Sequence, residues 1–124
     1  MNYLNNQSIF LQIADRICDR VLSGEYKADQ RIPSVRELAI EMEVNPNTVM
    51  RSYERLQANR IIYNKRGIGY FIAEDARKEV RQMRHIQFVE EVLPAVFKEM
   101  HLLGVSLDDL SEAYELYLQK HPDV

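Results

Sequence analysis

With 124 residues the chain has room for one small domain and an appendage, which excludes large catalytic frameworks such as a barrel of about 250 residues. Its 46% apolar and 28% charged residues describe ordinary globular material rather than a disordered or collagen-like chain. The lone Cys18 cannot close an internal disulfide, no apolar run reaches the roughly 18 residues of a membrane span, and the net charge of −3 argues against a polyanion partner for the chain taken as a whole.

Ile9, Phe10, Ile13, Ala14, Ile17, Val21 and Leu22 recur at spacings of three and four. That pattern predicts one amphipathic helix of about fifteen residues, capped by Ser8 and stopped by Gly24. A polar loop from Tyr26 to Pro33 follows. Ser34-Val35-Arg36-Glu37 reads as a capping box that opens a short helix, with Val35, Leu38, Ala39 and Met42 inward. Glu43-Val44-Asn45 makes a tight break. Asn45-Pro46 restarts a helix, Asn as the cap and Pro at the first helical position, with Val49, Tyr53 and Leu56 inward. After Asn59 the period drops to two: Ile61–Tyr63 and Gly69–Ile72 are strand candidates. Between them Asn64-Lys65-Arg66-Gly67-Ile68 forms a turn with two cations. Two short helices joined by a tight turn make a helix-turn-helix, and the hairpin over 61–72 adds a wing.

From Asp75 onward the chain returns to helix. An apolar row, Val80, Met83, Ile86, Val89, Leu93, Val96, Phe97, Met100 and Leu103, spans about seven turns, with a kink expected at Pro94. Gly104 ends this run. Ser106 caps a last helix whose apolar face is Leu107, Leu110, Tyr114, Tyr117 and Leu118, and which covers part of the preceding row. The expected fold is therefore mainly α with a small β-hairpin: a winged helix-turn-helix domain over 1–74 and a two-helix tail over 75–124. The row exceeds what the last helix can cover, so it marks a partner surface. A symmetric homodimer through Val89, Leu93, Val96, Phe97, Met100, Leu110, Tyr114 and Tyr117 is expected.

Charge is distributed unevenly. Residues 45–73 carry five cations against Glu54 alone, and screening confines charge effects to about 8 Å, so this local excess outweighs the global deficit. On the helix over 46–58, Asn47, Arg51 and Arg55 share one face, with Glu54 at its margin and Thr48 nearby. Asn suits adenine edges, Arg suits guanine edges, and a Thr methyl suits thymine. Arg36 reaches the same groove or a phosphate, and Lys65 and Arg66 sit where a wing touches the minor groove or its phosphates. Each of these signals alone describes a solvated surface; together they point to double-stranded DNA.

The run from Ile9 to Ile72 resembles the winged-helix domain of GntR-type bacterial transcription regulators. The resemblance is carried by Ile9–Asp15, Gly24, Ile32-Pro33-Ser34-Val35-Arg36-Glu37-Leu38-Ala39, Val44–Val49 and Gly67–Ile72. A two-helix tail of this length, together with Asn-Pro-Asn-Thr-Val, resembles the YtrA-like subfamily, whose tail is a dimerisation element. The resemblance implies a dimeric repressor on a palindromic operator, with Arg36 and the wing-tip Gly67 at the DNA. It also implies departures: Pro46 and Met50 stand where the family often has Arg, Glu43 and Arg60 stand where it has glycines, and Ala28-Asp29 replace its usual Pro-Gly. Glu43 and Arg60 are thus expected at positive φ.

The DNA-contacting set expected from these readings is Ser34, Arg36, Asn45, Asn47, Thr48, Arg51, Arg55, Lys65, Arg66 and Gly67. No catalytic or metal site is expected: His85, His101 and His121 lack helical metal-ligand spacing, and Glu90-Glu91 reads as a solvated face. No cofactor is expected either. The tail leaves room for a small-molecule effector whose chemistry no residue names. The N-terminus lacks a basic-then-apolar leader, so a soluble, reduced, cytoplasmic protein is expected. The alternative is a winged-helix module for protein–protein assembly without DNA contact.

Overall fold

A computed structural model describes residues 8–123. In chain order these form α1 (Ile9–Ser23), α2 (Val35–Met42), α3 (Pro46–Ala58), β1 (Ile62–Lys65), β2 (Gly69–Ile72), α4 (Ala76–Gln87), α5 (Leu93–Leu103) and α6 (Leu107–Lys120). They divide into two compact units, one ending at Arg84 and one beginning at His85.

In the first unit the apolar stripes meet as their spacing requires. Ile13, Ala14, Ile17, Cys18 and Val21 of α1 pack with Leu38 and Ala39 of α2, and with Val49, Tyr53 and Leu56 of α3. Ile61, Ile62 and Ile72 close the core from the hairpin, and Ala76 and Val80 from α4. Val80 and Met83 therefore serve this core, not the tail's apolar row. The unit runs past residue 74 for that reason, and Arg84 ties α4 to α1 by donating to the Asp15 carbonyl (3.0 Å) and pairing with Asp19 (2.7 Å).

The caps behave as the sequence predicts, with one exception. Gly24 ends α1 in the left-handed region (φ 85°). The Ser34 hydroxyl accepts the Glu37 N–H (3.1 Å) while the Glu37 carboxylate accepts the Ser34 N–H (3.0 Å). Ser8 holds the N-cap position of α1, but only its carbonyl is used there, accepting from Leu11 and Gln12; its hydroxyl makes no capping bond.

The strands pair antiparallel with Ile62 opposite Ile72, Tyr63 opposite Phe71, Asn64 opposite Tyr70 and Lys65 opposite Gly69. Asn64 and Lys65 thus belong to β1 rather than to the turn, which narrows to Arg66–Ile68. The polar loop before α2 is also partly sheet. Asp29 donates to the Ile72 carbonyl (2.8 Å), Ile72 to that of Gln30 (2.9 Å) and Ile32 to that of Tyr70 (3.0 Å). This short edge buries Ile32, at 2% exposure.

In the second unit, where the sequence predicts a kink at Pro94, a π-helical turn over Phe88–Val92 precedes the proline, and in it the Leu93 N–H reaches the Phe88 carbonyl. A widened turn there gives the proline ring room against the carbonyl of Glu90. Gly104 ends α5 at φ 71°, and Ser106 with Asp109 forms a second capping box. Neither α5 nor α6 buries a residue. The last helix does not cover the apolar row as expected: Leu93, Val96 and Met100 are half-buried, and Val89, Phe97, Leu110, Tyr114 and Tyr117 are exposed.

Candidate nucleic-acid interface

The ten residues expected at DNA all lie in the first unit, and their orientation is set by what α3 buries. Val49, Tyr53 and Leu56 are at most 1% exposed. Tyr53 is locked further by its hydroxyl, which donates to the Pro33 carbonyl (2.6 Å), and by edge-on packing against Tyr70 at 4.9 Å. Burial raises its phenol's pKa far above the ordinary range. Ser52, at 0% exposure, joins this inward set, which the apolar pattern did not anticipate. Its hydroxyl donates to the Phe10 carbonyl (2.6 Å), with the Thr48 carbonyl at 3.1 Å as the in-helix alternative, and so pins α3 to the start of α1.

With Val49, Ser52, Tyr53 and Leu56 inward, a rotation of about 100° per residue puts Asn47, Arg51 and Glu54 at the middle of the outer face. Glu54 is therefore central rather than marginal, and Arg55 moves to the flank. All four are exposed, and Thr48 is half-buried. The Arg51 guanidinium lies 4.2 Å from the centre of the Phe10 ring, a cation–π contact that ties the side chain to the start of α1. Phe10 and Ser52 are the two residues here whose role the sequence reading missed. A serine among apolar positions was the available signal for Ser52; for Phe10 there was none, because its partner is on another helix.

The remaining members divide by role. Asn45 and Ser34 direct side-chain oxygens at backbone N–H groups, Asn45 accepting from Asn47 at 2.8 Å, so both open helices. Arg36 is exposed in the first turn of α2. Arg66 and Gly67 form the wing tip; Gly67 has φ 78° and open space around its Cα, which lets backbone approach a ligand closely. Lys65 leans back along the hairpin, its Nζ 4.7 Å from the Phe71 ring, and that ring stacks on Tyr63 at 5.7 Å. The Cys18 thiol faces the core, and burial pushes its pKa up to about 11, so it stays a neutral thiol at physiological pH.

Residues 10–72 match the bacterial regulatory proteins of the gntR family. The chain is 35% identical over 117 residues to the HTH-type transcriptional regulator YhcF of Bacillus subtilis, covering 94% of this chain and 95% of that protein. It is 35% identical over 104 residues to the HTH-type transcriptional repressor YtrA of Bacillus subtilis, covering 84% and 79%. Among solved structures it is similar to a GntR-family transcriptional regulator from Bacteroides thetaiotaomicron, with a TM-score of 0.81, 46% identity and coverage of 92% and 99%.

Proposed function

The chain belongs to the GntR family of bacterial regulatory proteins and is a DNA-binding transcription regulator; from that premise we propose that it is a dimeric repressor that lays α3 along the major groove of a palindromic operator. The observation that carries this reading is the division of α3: one side is sealed into the core, and the other presents Asn47 and Arg51 outward on a narrow rod, with Glu54 beside them and Arg55 at the flank. In this reading Asn47 and Arg51 read base edges, and Arg36, Arg55, Arg66 and the Gly67 backbone hold phosphates, which set register rather than sequence preference. Ser34 and Asn45 act by opening α2 and α3 with the N-terminal turns aimed at the DNA.

Repression is supported by similarity to the repressor YtrA. Dimerisation is supported by α5 and α6, whose apolar residues stay uncovered and need a second copy of the same surface. Two wings related by a two-fold axis would meet half-sites about one helical turn apart, or a multiple of that. No helix among the described residues is long and apolar enough to cross a membrane, which accords with action on DNA in the cytoplasm.

The test is selection of duplexes from a random pool, followed by titration of the selected site. Arg51→Ala is expected to weaken binding to that site by about 1–3 kcal/mol and to relax preference at one base pair per half-site. Arg66→Ala is expected to weaken all sequences alike. Variants at both positions that bind as tightly as the parent would remove α3 and the wing from the groove.

A further inference from the structure

The edge segment before α2 makes the wing broader than its hairpin. Arg31 pairs with Phe71 across the outer side of β2, as Tyr63 pairs with Phe71 across the inner side. Because alternate residues leave a strand on opposite faces, Ile32 enters the core while Arg31, Phe71, Tyr63 and Lys65 share the solvent face. This face carries two cations. The Arg31 Nε lies 3.0 Å from where a Cβ on Gly69 would stand. Lys65 is the ladder partner of Gly69 and places its Nζ over the neighbouring Phe71 ring. Both cations are exposed.

The nearby carboxylates have hydrogen-bond partners of their own, and Glu37 also feels the Arg31 charge. Asp29 accepts the Tyr63 hydroxyl (2.9 Å), and Glu37 accepts the Ser34 N–H in its capping box. Among the described residues neither Arg31 nor Lys65 takes part in a salt bridge. Two exposed cations on one face of the wing, neither of them in a salt bridge, are a site for a shared anion, which each can hold by a charge-assisted hydrogen bond. The Arg31 side chain also occupies the space that a Cβ on residue 69 would need, and with φ 146° there the position suits glycine.

We infer that Arg31 is a DNA-backbone contact of this regulator, closing with Lys65 over Gly69 on a single phosphate at the flat face of the wing, apart from the tip at Arg66. This rests on the reading that the wing lies against the duplex. Arg31 does not touch bases in this arrangement, so it adds affinity without sequence preference.

The experiment titrates the full chain against a fluorescent 30-base-pair duplex of mixed sequence, and against the selected site, from about 50 to 200 mM salt. Arg31→Ala is expected to lower the slope of log affinity against log salt by about 0.9 for each wing engaged, leaving the selected consensus and the thermal midpoint unchanged; Arg31→Lys is expected to keep most of the slope. An unchanged slope in Arg31→Ala, with Arg66→Ala still weakened, would overturn the inference and leave the groove reading standing. An altered consensus would also overturn it, by making Arg31 a base reader. If Arg31→Ala, Arg51→Ala and Arg66→Ala all matched the parent, the reading of the wing and α3 would fall with it.

Discussion

Glu43 and Arg60 carry the clearest strain in the molecule. Glu43 closes α2 at φ 56° and ψ 46°, and Arg60 follows α3 at φ 63°. Both carry a Cβ in the left-handed region, which costs roughly 1–2 kcal/mol. Asp29, at φ 62°, tolerates that conformation better because a short polar side chain can satisfy nearby backbone. Replacing Glu43 or Arg60 with glycine relieves the native-state strain, while the greater freedom of glycine in the unfolded chain takes back part of the gain. Each substitution is therefore expected to stabilise the protein by about 0.5–1 kcal/mol, measured by urea unfolding at an unchanged m-value. Destabilisation by either would show that the side chain makes a compensating contact. The strain was legible from the residues that stand where related sequences place glycine. The hold of Phe10 on Arg51 was not, because a cation–π contact between two helices leaves no trace in local spacing.

At the scale of elements, helix ends are the best-determined features. The capping boxes at Ser34–Glu37 and Ser106–Asp109 both form in full. In each, hydrogen bonds to the serine hold the carboxylate's pKa below its ordinary value, 4.5 for Glu37 and 3.8 for Asp109. A carboxylate with a lowered folded pKa stabilises the native state above its unfolded value, and that contribution disappears as pH falls through the folded value. The boxes should therefore be at full strength at neutral pH and weaken only in acid, below about pH 4–4.5. Ser34→Ala is expected to cost about 1 kcal/mol near neutrality, and Glu37→Gln to flatten the acid limb of a stability–pH curve. An acid limb equally steep in Glu37→Gln would assign it to other groups. The strands were less legible: Lys65 reads as turn from composition but continues β1, and residues 29–32 read as loop but join β2. Pairing partners, not intrinsic preference, settle such short segments.

At the scale of the whole molecule, the two units differ in how much each encloses by itself. The first closes a continuous core from α1 to α4. In the second, only Val92 is buried among the described residues, at 7% exposure. Phe97, Leu110, Tyr114 and Tyr117 stand 37–62% exposed, a surface that monomeric proteins rarely leave open. Sedimentation equilibrium at micromolar concentration is expected to give the mass of a dimer. Leu110→Asp with Tyr114→Asp is expected to give a monomer that keeps its thermal transition but binds the palindromic site far more weakly than the parent, because the two half-sites no longer act together. A monomeric parent would remove the dimer from the proposal.

Local chemistry was enough to determine the order of helices, their caps, the hairpin and the family resemblance, because capping residues, proline, glycine and the period of apolar positions act within a few residues of where they stand. Tertiary packing alone decided the rest. Seating Ser52 against Phe10 rotates the outer face of α3 and brings Glu54 to its centre. Pairing residues 29–32 with β2 lifts Arg31 from a loop onto the face of the wing. Both depend on groups distant in sequence meeting in space, and a one-residue change of helical face or strand register is invisible until the partner is known.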